Sequence, residues 1–332
     1  MLTRRQLIAS TVGAAGLAAL RPPALAQSPS TVDGWPTRPV RVIIPSAAGG
    51  PAENFRIYAD HFRQVFGQSF LHENQPGASG AIGSANVARA APDGYTLLCP
   101  ANSHVILAPL VAARAAFDVK KDFEPIGLLV TYPFCLIVNA DLPVRTLPEL
   151  VAHAKAHPGK LNFGSIGIGT GGHLVTELLR KRAGIDAVHI PYTGAPAQVM
   201  GVSSGALQFT VDTIGNSRGA VEAGKVRQIA VTGSKRSAAA PDLPTFAEQG
   251  FAGFELLLWL GLMAPKGTPR GIIDALNREI GRCNDKPDVK ARLEQAAYEP
   301  ARGSPEDFAR LIDDELRLWS QIVSETGVRI PS

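Results

Sequence analysis

Cysteine is scarce, with three in 332 residues at Cys99, Cys135 and Cys283. No Cys-x-x-Cys pair occurs and no histidine spacing supports a zinc site, so a structural zinc module is excluded. Two readings of the cysteines fit: three small buried hydrophobes, or one bridge and one free thiol. An excess of one charge is also missing. The formal net charge is +4, but Arg4, Arg5 and Arg21 face no acid in the first 26 residues, and the remainder holds 30 basic against 29 acidic side chains. That balance gives no electrostatic case for nucleic acid. No apolar run reaches the ~20 residues of a membrane-spanning helix. There is no repeat at a fixed period and no low-complexity linker.

What is present suits folded α/β layers. Hydrophobic residues make up 45% of the chain and charged residues 19%, enough apolar surface for cores and too little net charge for disorder. The N-terminus reads as a cleavable secretory signal over residues 1–26: Arg4-Arg5, an apolar run from Leu7 to Leu20, then Ala24-Leu25-Ala26. The alternative is an uncleaved anchor. Thr3-Arg4-Arg5-Gln6-Leu7 also resembles a twin-arginine signal, so either export route fits.

Strand-like and helix-like segments alternate through the body. Strands are expected at Val40–Ile44, Tyr95–Cys99, Leu161–Gly164, Val188–Tyr192, Leu207–Val211 and Val226–Val231. Helical stripes run through Phe55, Tyr58, Phe62 and Phe66, through Ile273, Leu276, Ile280 and Cys283, and from Phe308 to Val323. Thr146-Leu147-Pro148-Glu149 reads as a capping box opening a helix to about Ala156. Two extended apolar runs, Phe134–Val138 and Phe254–Met263, flank a self-sufficient α/β block. This predicts two lobes, residues 27–138 plus 256–332 and residues 139–255, joined by two antiparallel crossing strands. It also predicts that Val40–Ile44 and Leu161–Gly164 lie in separate sheets.

Two Gly-rich loops each follow a strand and open a helix: Ser46-Ala47-Ala48-Gly49-Gly50 and Ser165 through Gly172. Helix N-termini present unpaired N–H groups and the positive end of the dipole, and glycine lets a ligand approach them. Each loop is either an anion cradle or a tight strand-to-helix turn. Gly167-x-Gly169-x-x-Gly172 matches the dinucleotide fingerprint, but Asp186 precedes its strand, where the ribose-binding acid should follow one. No nicotinamide binding is expected. A Gly-x-Ser-x-Gly elbow is absent. Ser165 and His173 lack a local acid, so His173 is expected to donate a hydrogen bond at the helix start rather than act as a base. His104 and His189 are expected in the core or on the surface.

Several ordered motifs now combine. They are Trp35-Pro36 through Ile44-Pro45 and Gly49-Gly50; Asn74-Gln75-Pro76-Gly77-Ala78-Ser79-Gly80; Pro92-Asp93-Gly94-Tyr95; and Lys121-Asp122-Phe123-Glu124-Pro125. Further along come Ser165-x-Gly167-x-Gly169-Thr170-x-x-His173; Ile190-Pro191-Tyr192-x-Gly194; Pro241-Asp242-Leu243-Pro244-Thr245; and Trp259-x-Gly261-Leu262-x-Ala264-Pro265. The set resembles the Bug-type periplasmic receptors of tripartite tricarboxylate transporters over essentially the whole mature chain.

The resemblance implies a type II periplasmic-binding-protein fold, with two α/β lobes closing on a small carboxylate. It implies a ligand site at Ser46, Ala47, Ala48, Gly49, Gly50 and Glu53 from the first loop and at Asn102. From the second lobe it implies Ser165, Gly169, Thr170, His173, Tyr192 and Asp212. It further implies a periplasmic monomer without cofactor or metal, taking a di- or tricarboxylate or an aromatic carboxylate to a membrane permease. The family usually has Pro-Phe-x-Pro-Gly-Gly and Thr-Asp where Ser46, Ala48, Ala52 and Glu53 stand here, and an Arg where Ile57 stands beside Arg56. These departures fit an atypical, bulkier acid. A periplasmic ligand sensor for a membrane kinase is the main alternative, and a secreted hydrolase a distant one.

Overall fold

The computed structural model describes residues 32, 34–46 and 54–329. The expected signal sequence, and Ala47 to Glu53 of the first loop, lie outside the described residues.

The chain opens with β1 (Val40–Ile44), α1 (Phe55–Phe66), β2 (Phe70–Asn74), α2 (Ala81–Ala88) and β3 (Thr96–Leu98). A π-helical turn (Ser103–Leu107), α3 (Ala108–Val111) and α4 (Val119–Asp122) lead into β4 (Phe123–Asn139). There follow α5 (Leu147–Ala156), β5 (Leu161–Ser165), α6 (Gly171–Ala183), β6 (Ala187–Pro191), α7 (Ala195–Ser203), β7 (Phe209–Thr213), α8 (Ile214–Glu222) and β8 (Val226–Val231). The chain closes with β9 (Leu257–Pro265), α9 (Arg270–Asp285), α10 (Pro287–Gln295), β10 (Glu299–Pro300) and α11 (Pro305–Thr326).

Local chemistry explains the helix boundaries. α1 buries Phe55, Tyr58, Phe62 and Phe66 at helical spacing and stops at Gly67, whose φ of 72° suits glycine. At α5 the Thr146 hydroxyl accepts the Glu149 N–H, while the Glu149 carboxylate reaches the Arg145 N–H at 2.6 Å. α11 begins with a reciprocal box: Asp307 N–H donates to Ser304 Oγ at 3.2 Å, and Ser304 N–H to Asp307 Oδ2 at 2.8 Å.

Two groups of strands share β4. In the first, β1 pairs in parallel with β2 and β3, and β9 joins β3 antiparallel to the Phe123–Pro133 part of β4. In the second, the Phe134–Asn139 part of β4 lies between β7 and β8, and β5 pairs in parallel with β7 and β6. The 17-residue β4 spans roughly 55 Å at ~3.3 Å per residue, long enough to serve both. The handover falls at Pro133, which has no N–H to extend the β9 ladder.

This corrects two expectations. Phe134–Val138 is not the partner of the second crossing strand; Phe123–Pro133 is, with Pro133 opposite Leu257. Val40–Ile44 and Leu161–Ser165 also lie on one continuous path of paired strands, β2-β1-β3-β9-β4-β7-β5-β6, because β4 belongs to both groups. The prolines that mark breaks in sequence are absorbed here, with a register shift between Pro125 and Gly127.

The main core runs through both halves, from Val40 and Phe62 to Leu178 and Trp319. Cys99, Cys135 and Cys283 are all free and fully buried, which removes the bridged alternative. Burial pushes the Cys99 thiol up to about 12 and Cys283 to about 11. Ellman's reagent should therefore find no fast-reacting thiol in the native protein and three after denaturation. A native thiol that reacts at the free-cysteine rate would contradict this packing.

Candidate functional site

Two pairs of parallel strands, β1 and β3 in one group and β5 and β7 in the other, end at one cavity of ≈ 360 Å³. Ligand crevices in α/β sheets open at the carboxyl ends of strands for the same reason: loops and helix N-termini gather there. Pro45 and Ser46 follow β1, Ala101 follows β3, and Ile166 and Gly169 to Gly172 follow β5. Val211, Asp212 and Thr213 end β7. Tyr132, Phe134, Leu258 and Leu260 from the crossing strands form an apolar floor. Among the described lining residues there is no lysine or arginine.

Donors replace cations at one side. Thr170 is the N-cap of α6, and Gly171 and Gly172 supply first-turn N–H groups that have no partner within the helix. Gly172 brings that turn close to β7: a Cβ there would stand 2.3 Å from the Val211 carbonyl oxygen. Gly169, at φ 78°, meets the first lobe across the cavity, where a Cβ would lie 2.6 Å from Val111 Cγ2.

The loop after β2 adds a second wall. Gly77, Ala78, Ser79 and Gly80 all have positive φ, at 124°, 48°, 54° and 91°. For Ala78 and Ser79 this costs about 1–2 kcal/mol each, strain of a kind that gathers at ligand sites. Gly80 makes room for His104, whose Cδ2 would be 2.6 Å from any Cβ at that position. His104 Nδ1 accepts the Ala101 N–H at 3.1 Å, which leaves the ring proton on Nε2. Burial lowers its pKa to about 4, so it is a neutral donor at physiological pH.

Asp212 is the carboxylate among the described lining residues. Its Oδ1 accepts the Thr213 N–H and the Asn216 side-chain N–H, each at 2.8 Å. Burial nevertheless pushes its pKa up to about 6.

Of the residues expected at the site and described in the structure, Ser46, Gly169, Thr170 and Asp212 line the cavity. Asn102, Ser165, His173 and Tyr192 do not. Asn102 turns away, donating to Leu257 O at 3.1 Å and Glu315 Oε2 at 3.2 Å. Ser165 is buried beneath its loop, with Oγ 2.7 Å from His189 Nε2. His173 is corrected in role as well: its Nδ1 accepts the Gly169 N–H at 3.0 Å, so at that atom it bonds the loop as an acceptor rather than a donor. The Thr170 hydroxyl donates to Gly167 O at 2.8 Å, so its proton is already engaged within the loop.

Sequence reasoning missed Ser79, Gly80, Ser103, His104, Gln198 and Asn216. The signal for three was available. Asn102-Ser103-His104 is a polar triplet following a buried parallel strand, and Asn216 stands four residues after an acid at a strand end.

Chemically, the cavity can hold an anion by dipoles and neutral donors. Ser165, which contacts His189, is 1% exposed and lies outside the cavity. Asp186 precedes β6, at the far end of the sheet from the glycine loop, and cannot meet a ribose there. Among the described residues no cluster of three or more His, Cys, Asp or Glu side chains could hold a metal, and no helix is long and apolar enough to cross a membrane.

Comparison with known proteins agrees with this geometry. The family model described as "Tripartite tricarboxylate transporter family receptor" matches residues 54–328. A Pseudomonas sp. (strain P51) protein, described as a UPF0065 protein in the tcbD-tcbE intergenic region, is 35% identical over 296 residues, covering 89% of this chain and 88% of that one. An R. palustris protein solved with adipate superposes with a TM-score of 0.82 at 32% identity, covering 89% of this chain and 99% of that chain. The periplasmic binding protein BugD gives 0.78 at 33% identity, covering 89% and 99%. Two α/β lobes around a shared cleft, and a family match over most of the length, place the chain in the Bug-type receptor family of tripartite tricarboxylate transporters.

Proposed function

We propose that this protein is a periplasmic receptor that captures a small organic carboxylate between its lobes and delivers it to a membrane permease. The observation that carries the reading is the cavity itself. It joins the strand ends of both lobes, presents the α6 N-terminus and the His104 N–H, and has no basic side chain among its described lining residues. Such a site pays for carboxylate desolvation with aimed dipoles, and water exclusion on closure strengthens each of them. Adipate in a relative of similar fold supports the ligand class. The BugD likeness and the receptor family support the periplasm and the permease partner.

The lobes are proposed as residues 27–133 with 257–332, and 134–256, hinged where Pro133 faces Leu257; this moves the expected 138/139 boundary back to where β4 passes from β9 to β7 and β8. No catalysis is proposed. The one close serine–histidine pair among the described residues is buried and outside the cavity.

Protein purified under mild conditions from a bacterial periplasm should retain an acid visible by native mass spectrometry. Calorimetry with that acid should then give one site per chain. A retained ligand with no carboxylate, bound stoichiometrically, would overturn the reading.

A further inference from the structure

Asn102 stands where the crossing strand meets the cavity wall. It is the N-cap of the π-helical turn Ser103–Leu107, which presents Ser103 and His104 to the cavity. Its Nδ2 donates to Leu257 O at 3.1 Å, and lies 3.2 Å from Glu315 Oε2 and 3.5 Å from Oε1. Leu257 is the residue opposite Pro133, where the two lobes meet. The orientation of the amide is fixed, because the Leu257 carbonyl can only accept. Both Nδ2 hydrogens are therefore used, while Asn102 Oδ1 is buried without a donor. The whole of Asn102 is buried, and Glu315 is 8% exposed.

No cation pairs with Glu315 among the described residues. α11 packs against β4, α6, α9, α3 and the π-helical turn. The charged groups on those elements pair elsewhere: Glu124 of β4 with Lys266, Arg180 and Arg182 of α6 with Glu177 and Glu325, Arg270 of α9 with Asp274 and Glu306, and Arg278 and Arg282 with Glu279. On α11 itself Asp313, Asp307 and Asp314 face Lys120, Arg310 and Arg317. His173 Nε2 lies beside Glu177, and burial keeps His104, Tyr132, Cys135 and Cys283 neutral. An ionised Glu315 is thus a buried charge without a counter-charge, answered only by Asn102 and two nearby indoles.

A neutral Glu315 supplies the donor that Asn102 Oδ1 lacks. Its acid carbonyl keeps the Nδ2 hydrogen bond, and its O–H turns to Oδ1 by rotation about χ3, a soft torsion. Acid and amide then close a ring of two hydrogen bonds, while the other Nδ2 hydrogen stays on Leu257 O. We propose that Glu315 is a positioning residue for the cavity wall: in its protonated form it clamps Asn102, and through it Ser103 and His104, to the crossing strand at Leu257. Loss of that proton sets acceptor oxygens against one another and loosens the turn. The wall is firm below neutrality and slackens above it. Only the purpose of that wall rests on the receptor reading.

The test uses the intact mature protein without ligand, so its failure is distinct from failure of the receptor reading. Tryptophan emission should shift with a midpoint at about pH 7, because Trp259 and Trp319 flank the carboxyl, and Glu315→Gln should abolish the shift. Amide hydrogen exchange across Ser103–Leu107, corrected for its intrinsic pH dependence, reads the wall directly. In the wild type, protection should fall at least about threefold from about pH 6 to about pH 8.5. Glu315→Gln, whose amide closes the same ring at every pH, should keep the higher protection throughout. Glu315→Leu fills the space without the ring, so protection should be low at both ends of the range. A flat wild-type profile would overturn the proposal without recourse to any variant. An emission shift that survives in Glu315→Gln, or a leucine variant as well protected as the glutamine one, would overturn it too.

Discussion

Gly172→Ala should reduce carboxylate affinity by about a hundredfold, the largest loss expected from a single methyl group in this protein. The reason is steric and local. The added Cβ would stand 2.3 Å from the Val211 carbonyl oxygen, far inside van der Waals contact. That oxygen belongs to the backbone of β7, so it cannot swing aside as a side chain would. α6 must move instead, and its first-turn N–H groups move with it. Charge-assisted hydrogen bonds are worth about 1.5–3 kcal/mol each, and two misaimed donors account for the predicted loss. Overpacking should also cost about 1–3 kcal/mol of stability. Gly219→Ala is the matched control, since nothing lies within 4 Å of a Cβ at that α8 position. Calorimetry with the retained acid decides the matter. Full affinity in a folded Gly172→Ala variant would show that the anion does not use the α6 terminus.

Glu315→Gln should stabilise the protein at about pH 8 by roughly 3 kcal/mol and do almost nothing near pH 4. Glu315 is buried on the core face of α11, and burial raises its carboxyl from 4.5 to about 7. Asn102 Nδ2 lies 3.2 Å from Oε2. The indole N–H groups of Trp259 and Trp319 lie near and lower the value somewhat, but neither closes a hydrogen bond of good geometry. A raised carboxyl pKa means that the folded state holds its proton more tightly than the unfolded chain. The stabilising difference is complete below 4.5 and is lost as pH rises through about 7. Above that pH the native protein carries a buried charge that glutamine would not. Asp212, raised to about 6, adds a loss of the same sign in the wild type, so the difference between wild type and variant isolates Glu315. Melting curves across this range are the measurement. A variant with the wild-type slope between pH 5 and 8 would mean that Glu315 does not titrate in the native state. Asn102 joins this cluster to the crossing strand at Leu257 and immediately precedes the cavity residues Ser103 and His104, so the same variant reports whether that support affects ligand capture.

Much of this was legible in the chain. The stripes of α1, α9 and α11, the Ser304 and Thr146 caps and the short β-branched strands are local features, fixed by side-chain period and capping chemistry within a few residues. Glu315 was not singled out, although it falls seven residues after Phe308 in the apolar stripe of α11 and that spacing could have marked it. The glycine loop before α6 could be read as a cavity element, and Gly169 and Thr170 do line the cavity. The ordered motifs carried the family.

What the sequence could not decide is how distant segments share space. The 17-residue β4 is broken in the linear pattern by Pro125 and Pro133, and only its pairing with β9, β7 and β8 shows one strand serving both lobes. His104 looked isolated until Gly80 brought the loop after β2 against its ring. Asp212 and Gln198 are fourteen residues apart and reach one face of β7 only because Gln198 bonds Thr210, two residues before Asp212. Asn102, Ser165, His173 and Tyr192 sit beside the cavity elements in sequence, yet their side chains do not line it. Helices and caps obey nearest-neighbour physics, so the sequence alone determined them. Which groups at the cavity still have a donor or an acceptor to offer depends on hydrogen bonds that each has already made elsewhere, and only the tertiary structure decides that.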